Sequence, residues 1–420
     1  MRAIRLSPTV RTMSGASALT TLGTLPVFLL GTQAVFIRVD LGFGATGLGV
    51  AVSAFFASAA ATAMLAGGVL DRLGRRGGTL LAGTLAASGG LGTALVARSW
   101  PVLVALMVVL GAANAACQVT SNLTLARAVP PHRRGLGFGI KQAAIPLSIV
   151  VAGLAVPLVA ATAGWRWTFG ATGSFGLVAL VAGLRQPGTE RTPQERATAL
   201  DRPPMSALLA IMAAIALASA SANSFGTFLA SWSFEVGLSP SQAGVLMAVG
   251  SALNIAVRIS SGHWADLRHG RNLPVVAAQM VVGGLSLAAL AVDSPWAVVP
   301  AALLAFALGW SWPGLLLYAV VRVSRDAPGL ATGVVQAGAF VGGAAGPVVF
   351  GAVVGALGYR AAWLGTGLLF LIAALLILWG RRLFIADLDA RPPVTPLEYG
   401  GGRGTPARTT ATPPLNPESS

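Results

Sequence analysis

Apolar blocks of bilayer-crossing length alternate with short connections that carry most of the arginines, and this alternation limits what the chain can fold into. A helix needs about 20 mainly apolar residues to cross a bilayer. Twelve segments meet that need, at about 16–38, 46–70, 78–97, 101–125, 136–161, 167–186, 206–230, 240–264, 273–292, 296–321, 329–356 and 361–380. Lipid offers the backbone no hydrogen-bond partners, so each block must close its own ladder as a helix. The first is too long for a signal-peptide core and no small-residue cleavage site follows it, so it is expected to remain. Only 10% of residues are charged, against about 25% in soluble proteins. A soluble enzyme, a disordered chain and a disulfide scaffold are thereby excluded. The single cysteine, Cys117, leaves no internal disulfide and no Cys-based metal cluster. The expected class is an all-α polytopic membrane protein of twelve helices.

The longest polar connection, residues 185–204, divides the spans six to six. The expected organisation is a tail over 1–15, a six-helix bundle over 16–186, a linker over 187–205, a second bundle over 206–382 and a disordered tail over 383–420. With both termini cytoplasmic, 22 arginines fall on the cytoplasmic side and only Arg38, Arg98, Arg166 and Arg360 on the other. That is the bias of the positive-inside rule. Trp100, Trp165, Trp167, Trp232, Trp296 and Trp363 mark the outer boundary, and Trp264 and Trp379 the inner one. The net charge of +15 therefore reads as topogenic, with no nucleic-acid partner, in a multi-pass protein of the cytoplasmic (inner) membrane whose partners include its lipids.

The two halves are related. Residues 135–169 align without gaps on 329–363 at an offset of 194: Gly135-Leu136 on Gly329-Leu330, Gly139 on Gly333, Gln142 on Gln336, and Gly164-Trp165-Arg166 on Gly358-Tyr359-Arg360. A second match, offset by 195, relates Gly67-x-x-x-Asp71 to Gly262-x-x-x-Asp266. Spans 2 and 5 thus correspond to spans 8 and 11. Parallel six-helix repeats are a transporter design with the substrate site at the repeat interface.

The connection after span 2 reads Gly67-Gly68-Val69-Leu70-Asp71-Arg72-Leu73-Gly74-Arg75-Arg76. It resembles the signature of the major facilitator superfamily, Gly-x-x-x-Asp-Arg-x-Gly-Arg-Arg between helices 2 and 3, and the twelve-helix resemblance covers about residues 16–382. The copy from Gly262 to Arg271 keeps Asp266 but not the Asp-Arg pair, which implies a weaker second gate. The resemblance implies secondary transport by alternating access. Spans 1, 4, 7 and 10 would line a central cavity, and spans 2, 5, 8 and 11 would meet between the halves. Gly67, Asp71, Arg72, Gly74, Arg75, Arg76, Gly262 and Asp266 would act in gating. Asp71 is expected near the positive N-terminal end of span 11, with Gly67 allowing close helix approach. The arginines can equally be topogenic charges alone.

All 13 acids fall outside the spans, so no carboxylate is available within the bilayer to meet a cationic drug. Two cations are embedded: Lys141 in span 5 and Arg258 in span 8. Each costs roughly 2.5–3.5 kcal/mol to insert at a helix centre. Lys141 is the only lysine beside 27 arginines. Lysine can release its proton on burial where arginine stays charged, which fits a residue that gains and loses a proton. Its repeat partner is Val335, so the charge is not a feature of the scaffold; snorkelling to the surface is the plainer alternative. Val257-Arg258-Ile259-Ser260-Ser261-Gly262 resembles the helix-8 arginine segment of family branches that carry monocarboxylates, oxalate or nitrate, which implies anion binding. An arginine bonding neighbouring carbonyls is the structural alternative.

Asn114, Gln118 and Asn122 form one stripe at i, i+4 and i+8 on span 4. Gln33 in span 1, Asn223 in span 7, and Trp310 and Trp312 in span 10 complete the expected cavity lining, although amides can also glue helices. Gly338, Gly342 and Gly346 with Pro347 read as close packing and a bend in span 11. The arginine many family exporters carry in helix 4 is absent, as is the helix-5 Gly-Pro signature of antiporters. The leading expectation is a transporter of a small organic or inorganic anion, with protons as a coupling ion and no cofactor. Efflux of hydrophobic drugs or secondary metabolites is the alternative within transport, and a non-transporting sensor or scaffold the alternative outside it. Enzymatic function has no support in paired acids or a triad; His132, His263 and His269 all fall at the cytoplasmic edge.

Overall fold

A computed structural model describes residues 8–128, 141–186, 201–267, 272–325 and 327–392, without the side chains of 8–10, 65–72, 126–128, 266–267 and 328. The tails over 1–7 and 393–420, the linker over 187–200, the repeat residues Gly135 and Gly139, His132, and the loop from Arg268 to Arg271 lie outside the described residues. The described residues are almost entirely helical.

Twelve helical crossings follow in order. Helix α1 is Pro8–Thr32, continued after a break at Gln33 by Ala34–Leu41. The stretch Ala45–Val96 breaks at Gly74 (φ 66°, ψ −168°) into α2 (45–73) and α3 (75–96). Helix α4 is Trp100–Ala128, and α5 is Ala144–Ala155 running into a π-helical turn at Val156–Ala160. Then come α6 (Trp165–Leu184), α7 (Met205–Glu235), α8 (Pro240–Leu267) and α9 (Asn272–Ala289). Helix α10 is Pro295–Leu304 and Trp312–Val323, joined through a π-helical turn at Ala305–Gly309. The stretch Pro328–Ala390 breaks at Gly358 into α11 (328–357) and α12 (359–390). The start of α1 and the end of α12 lie on one face, called here the terminal face, and the turn at Gly358 on the far face. Helix α12 runs to Ala390, beyond the expected end at 382, so the first residues of the expected disordered tail are helical. Likewise α1 begins at Pro8, inside the expected tail.

The repeat read from the sequence recurs in geometry. Gly164 (φ 100°, ψ 150°) and Gly358 (φ 81°, ψ 172°) make the same turn into α6 and α12, in a region that a Cβ disfavours. Behind them Arg166 Nη2 donates to Ala97 O at 2.9 Å, and Arg360 Nε donates to Ala291 O at 3.2 Å. Donor and acceptor are both displaced by the same offset of 194. Two halves that share a backbone turn and the bond behind it are copies of one unit.

Helix α11 carries the expected glycine ridge. A Cβ on Gly338, Gly342 or Gly346 would lie 2.2, 2.1 or 2.4 Å from the backbone oxygens of Met212, Ala216 and Ala220 in α7. Backbone cannot yield as a flexible side chain can, so only glycine permits this approach. Across the interface of the halves, the contacts that resemble this one lie towards the far face. Gly153 of α5 faces Gly244 of α8, Gly49 of α2 faces Pro347 of α11, and Gly31 of α1 faces Gly226 of α7. Past Pro347, Val348 N–H donates to Ser53 Oγ at 3.1 Å, and Thr46 Oγ1 donates to Gly351 O at 3.2 Å. These bonds close the two halves together on that side.

Candidate functional site

Lys141 precedes α5 and is 5% exposed. Its ammonium donates to Gln118 Oε1 at 2.5 Å and to Asn122 Oδ1 at 2.9 Å, both on α4. The i, i+4 spacing that put these amides on one stripe is the reason one ammonium reaches both. Lys141 and the polar stripe, separate features in the sequence, are therefore one site. An ammonium has three donors, and two are engaged. Asn114, the third member of the stripe, does not join: its Oδ1 is buried without a hydrogen-bond partner, near Gly23 of α1.

Arg258 lies across the interface on α8. Its Nη1 donates to the backbone oxygen of Gln142 at 3.3 Å, and its Nη2 to that of Trp310 at 2.8 Å. The first acceptor is in the opposite half, next in sequence to Lys141; the second is at the break in α10. Its Nε is buried without a partner. The carbonyl-bonding alternative for this arginine thus describes what the guanidinium does here, with three of its five donors unengaged among the described residues. Neither embedded cation forms an ion pair with a carboxylate among the described residues.

The other expected cavity residues are placed differently. Gln33 accepts from Thr168 Oγ1 at 3.0 Å, with its Nε2 buried and unpartnered. Asn223 donates to Ser219 O of its own helix at 2.8 Å. Trp310 is packed among Phe306 (5.9 Å between ring centroids), Phe28 of α1 and Phe225 of α7 (6.1 Å each), so it joins the two halves as part of an aromatic plug. Trp312 is buried with its Nε1 unpartnered. Of the gating residues, the side chains of Gly67, Asp71, Arg72 and Asp266 lie outside the described set. Gly74 makes the α2–α3 break, and Arg75 and Arg76 are exposed. At Gly262 a Cβ would meet no atom of the described residues within 4 Å.

Two contributors were not singled out from the sequence. Asn254, one turn before Arg258, donates to Phe306 O at 2.6 Å, so α8 grips the π-helical turn of α10 at two carbonyls. Its i, i+4 spacing from Arg258 was the available signal. Gln142 contributes only its backbone carbonyl, for which side-chain chemistry gives no signal.

The model of the Major Facilitator Superfamily matches residues 16–334 and 211–403, together most of the chain. The chain belongs to this superfamily. Among major facilitator relatives, a chloramphenicol resistance protein of Streptomyces lividans is 30% identical over 345 residues, 78% of this chain and 85% of that protein. An uncharacterized MFS-type transporter of Mycobacterium tuberculosis is 28% identical over 305 residues, 67% of this chain and 64% of that protein. Among solved major facilitator structures, a bacterial homologue of the human lysosomal transporter Spinster, inward-facing and unoccupied, aligns with TM-score 0.73 at 16% identity, covering 91% of this chain and 99% of that one. A D-xylose-proton symporter aligns with TM-score 0.70 at 18% identity, covering 88% and 97%. At these identities the structures show the fold alone. The family points to a transporter rather than an enzyme, and to a multi-pass protein with a small-molecule substrate.

Proposed function

We propose that this major facilitator transporter moves a small organic or inorganic anion by alternating access. The observation that supports it most is the Lys141 ammonium held on Gln118 and Asn122, one residue from the carbonyl that holds Arg258, with no carboxylate paired to either cation among the described residues. Donors outnumber acceptors around such a site, and a negatively charged group would fill the deficit. Bundles over 16–186 and 206–382 would rock about a linker over 187–205, with both termini and the arginine-rich face in the cytoplasm, in the inner membrane. Gln33, Asn114, Asn223, Trp310 and Trp312 would border the path. Anion arrival favours the charged ammonium, so a proton taken up by Lys141 travels with the substrate.

Asp71 would hold the cytoplasmic side shut against α11, with Asp266 as a weaker counterpart. Replacing Asp71 by Asn should then slow transport without loss of folded protein. Normal initial rates in proteoliposomes would refute that role.

Efflux of a hydrophobic compound is the second reading, favoured by the relative named as a chloramphenicol resistance protein. A thermal-shift series on the purified protein separates the two. Acetate, oxalate, nitrate and phosphate should include a stabilising ligand whose effect disappears in both Lys141→Ala and Arg258→Ala. Stabilisation by chloramphenicol or a lipophilic cation that survives both substitutions would sink the anion reading and leave efflux.

A further inference from the structure

We propose that Arg258 is a latch between the two halves that the bound anion releases; the release step rests on the anion reading above, and the latch itself does not. The guanidinium links three segments of the chain. It is carried by α8, bonded to Trp310 O at the break in α10, and bonded to Gln142 O ahead of α5 in the opposite half. The glycine contacts between α5 and α8 lie towards the far face, at Gly153 and Gly244. The bond from Arg258 to Gln142 is the hydrogen bond described between this pair of helices nearer the terminal face.

The two bonds differ in strength. Trp310 O lies at 2.8 Å and belongs to the arginine's own half, while Gln142 O lies at 3.3 Å, beyond the usual range for N–H···O. The weaker bond is therefore the one that crosses the interface. Its acceptor is a neutral carbonyl, and a carboxylate or phosphate oxygen is a stronger acceptor for guanidinium because both partners are charged. An anion drawn to both cations would compete with the Gln142 carbonyl for the same guanidinium. When it wins, Arg258 exchanges a partner fixed to the other half for one that travels with the substrate. The bond to Trp310, together with Asn254 on Phe306 O, keeps α10 intact through the exchange. The loaded protein is thus freed to move and the empty one is restrained, which couples conformational change to occupancy.

Distances between spin labels at Leu147 on α5 and Ile259 on α8, both lipid- or solvent-exposed positions, test this in the full-length protein with the buried Cys117 replaced by alanine. The empty wild type should give one narrow population. Arg258→Gln without any ligand should add a population at longer distance, and an unchanged distribution in folded Arg258→Gln protein would overturn the latch whatever the substrate. The wild-type arms need no substitution at the latch. Sodium acetate or inorganic phosphate should produce the longer population at an ionic strength where sodium chloride does not, and Lys141→Gln should abolish that response. If these anions stabilise the protein thermally yet leave the distances unmoved, release is wrong while the anion reading stands. If none of acetate, oxalate, nitrate and phosphate stabilises or moves it, the anion reading fails with it.

Discussion

Replacing Arg325 by alanine should destabilise the purified protein by about 1.5–3 kcal/mol, the usual weight of hydrogen bonds to charged groups, because the two acids it bonds are only partly buried. Its side chain is 2% exposed in the α10–α11 connection. Nη1 meets Asp201 Oδ2 at 2.5 Å, just before α7, and Nη2 meets Asp387 Oδ2 at 2.7 Å, near the end of α12. The same Nη2 donates to Arg391 O at 2.6 Å, and Arg391 also pairs with Asp387. Burial opposes the charge on Arg325, but its bonds to Asp201 and Asp387 outweigh that and raise its pKa above the ordinary value. The guanidinium is therefore charged throughout the working range of pH. Alanine would leave Asp201 without this partner and Asp387 with Arg391 alone. The planar fork is what lets one side chain serve both acids, so Arg325→Lys should lie between alanine and wild type. Chemical unfolding in mixed lipid–detergent micelles reads the effect. An alanine variant with the wild-type midpoint would show that the cluster is not holding the second bundle's terminal-face ends together.

Substitution of Lys141 should act on transport and leave the fold largely untouched. Removing the ammonium frees Gln118, which is half-buried, and Asn122, which is exposed, so neither amide is sealed in the core. On the proposed function, what is lost is a charge-assisted hydrogen bond to the substrate, worth about 1.5–3 kcal/mol. Lys141→Ala should therefore weaken anion binding by roughly 10- to 100-fold, since about 1.4 kcal/mol corresponds to a factor of ten. Lys141→Arg separates charge from proton exchange, because a guanidinium attracts the anion but does not release its proton. That variant should still exchange anion for anion in proteoliposomes but should not accumulate it against a pH gradient. Full pH-driven accumulation by Lys141→Arg would remove Lys141 from the coupling mechanism.

The helical crossings were legible because lipid imposes one rule on every span, and the rule is written in local composition. The internal repeat was legible too, and the shared bonds of Arg166 and Arg360 carry the offset of the alignment into three dimensions. The breaks were less so. The π-helical turn at Ala305–Gly309 receives a donor from another helix, Asn254, and nothing within the turn announces it. The helical extension to Ala390 escaped hydropathy because it ends in charged residues whose pairing with Arg325 holds them in place.

The arginines divide along the same line. By itself the sequence determined that the excess positive charge lies at helix ends, because topogenic charge is a matter of position along the chain. It also singled out Lys141 and Arg258 as cations with no acid near them in sequence. Only the tertiary structure decided their partners: amides one helix away for Lys141, and for Arg258 two backbone carbonyls, one of them in the opposite half. Every residue has a backbone carbonyl, so sequence cannot distinguish the two that Arg258 bonds. Packing alone brings those two within reach of its guanidinium.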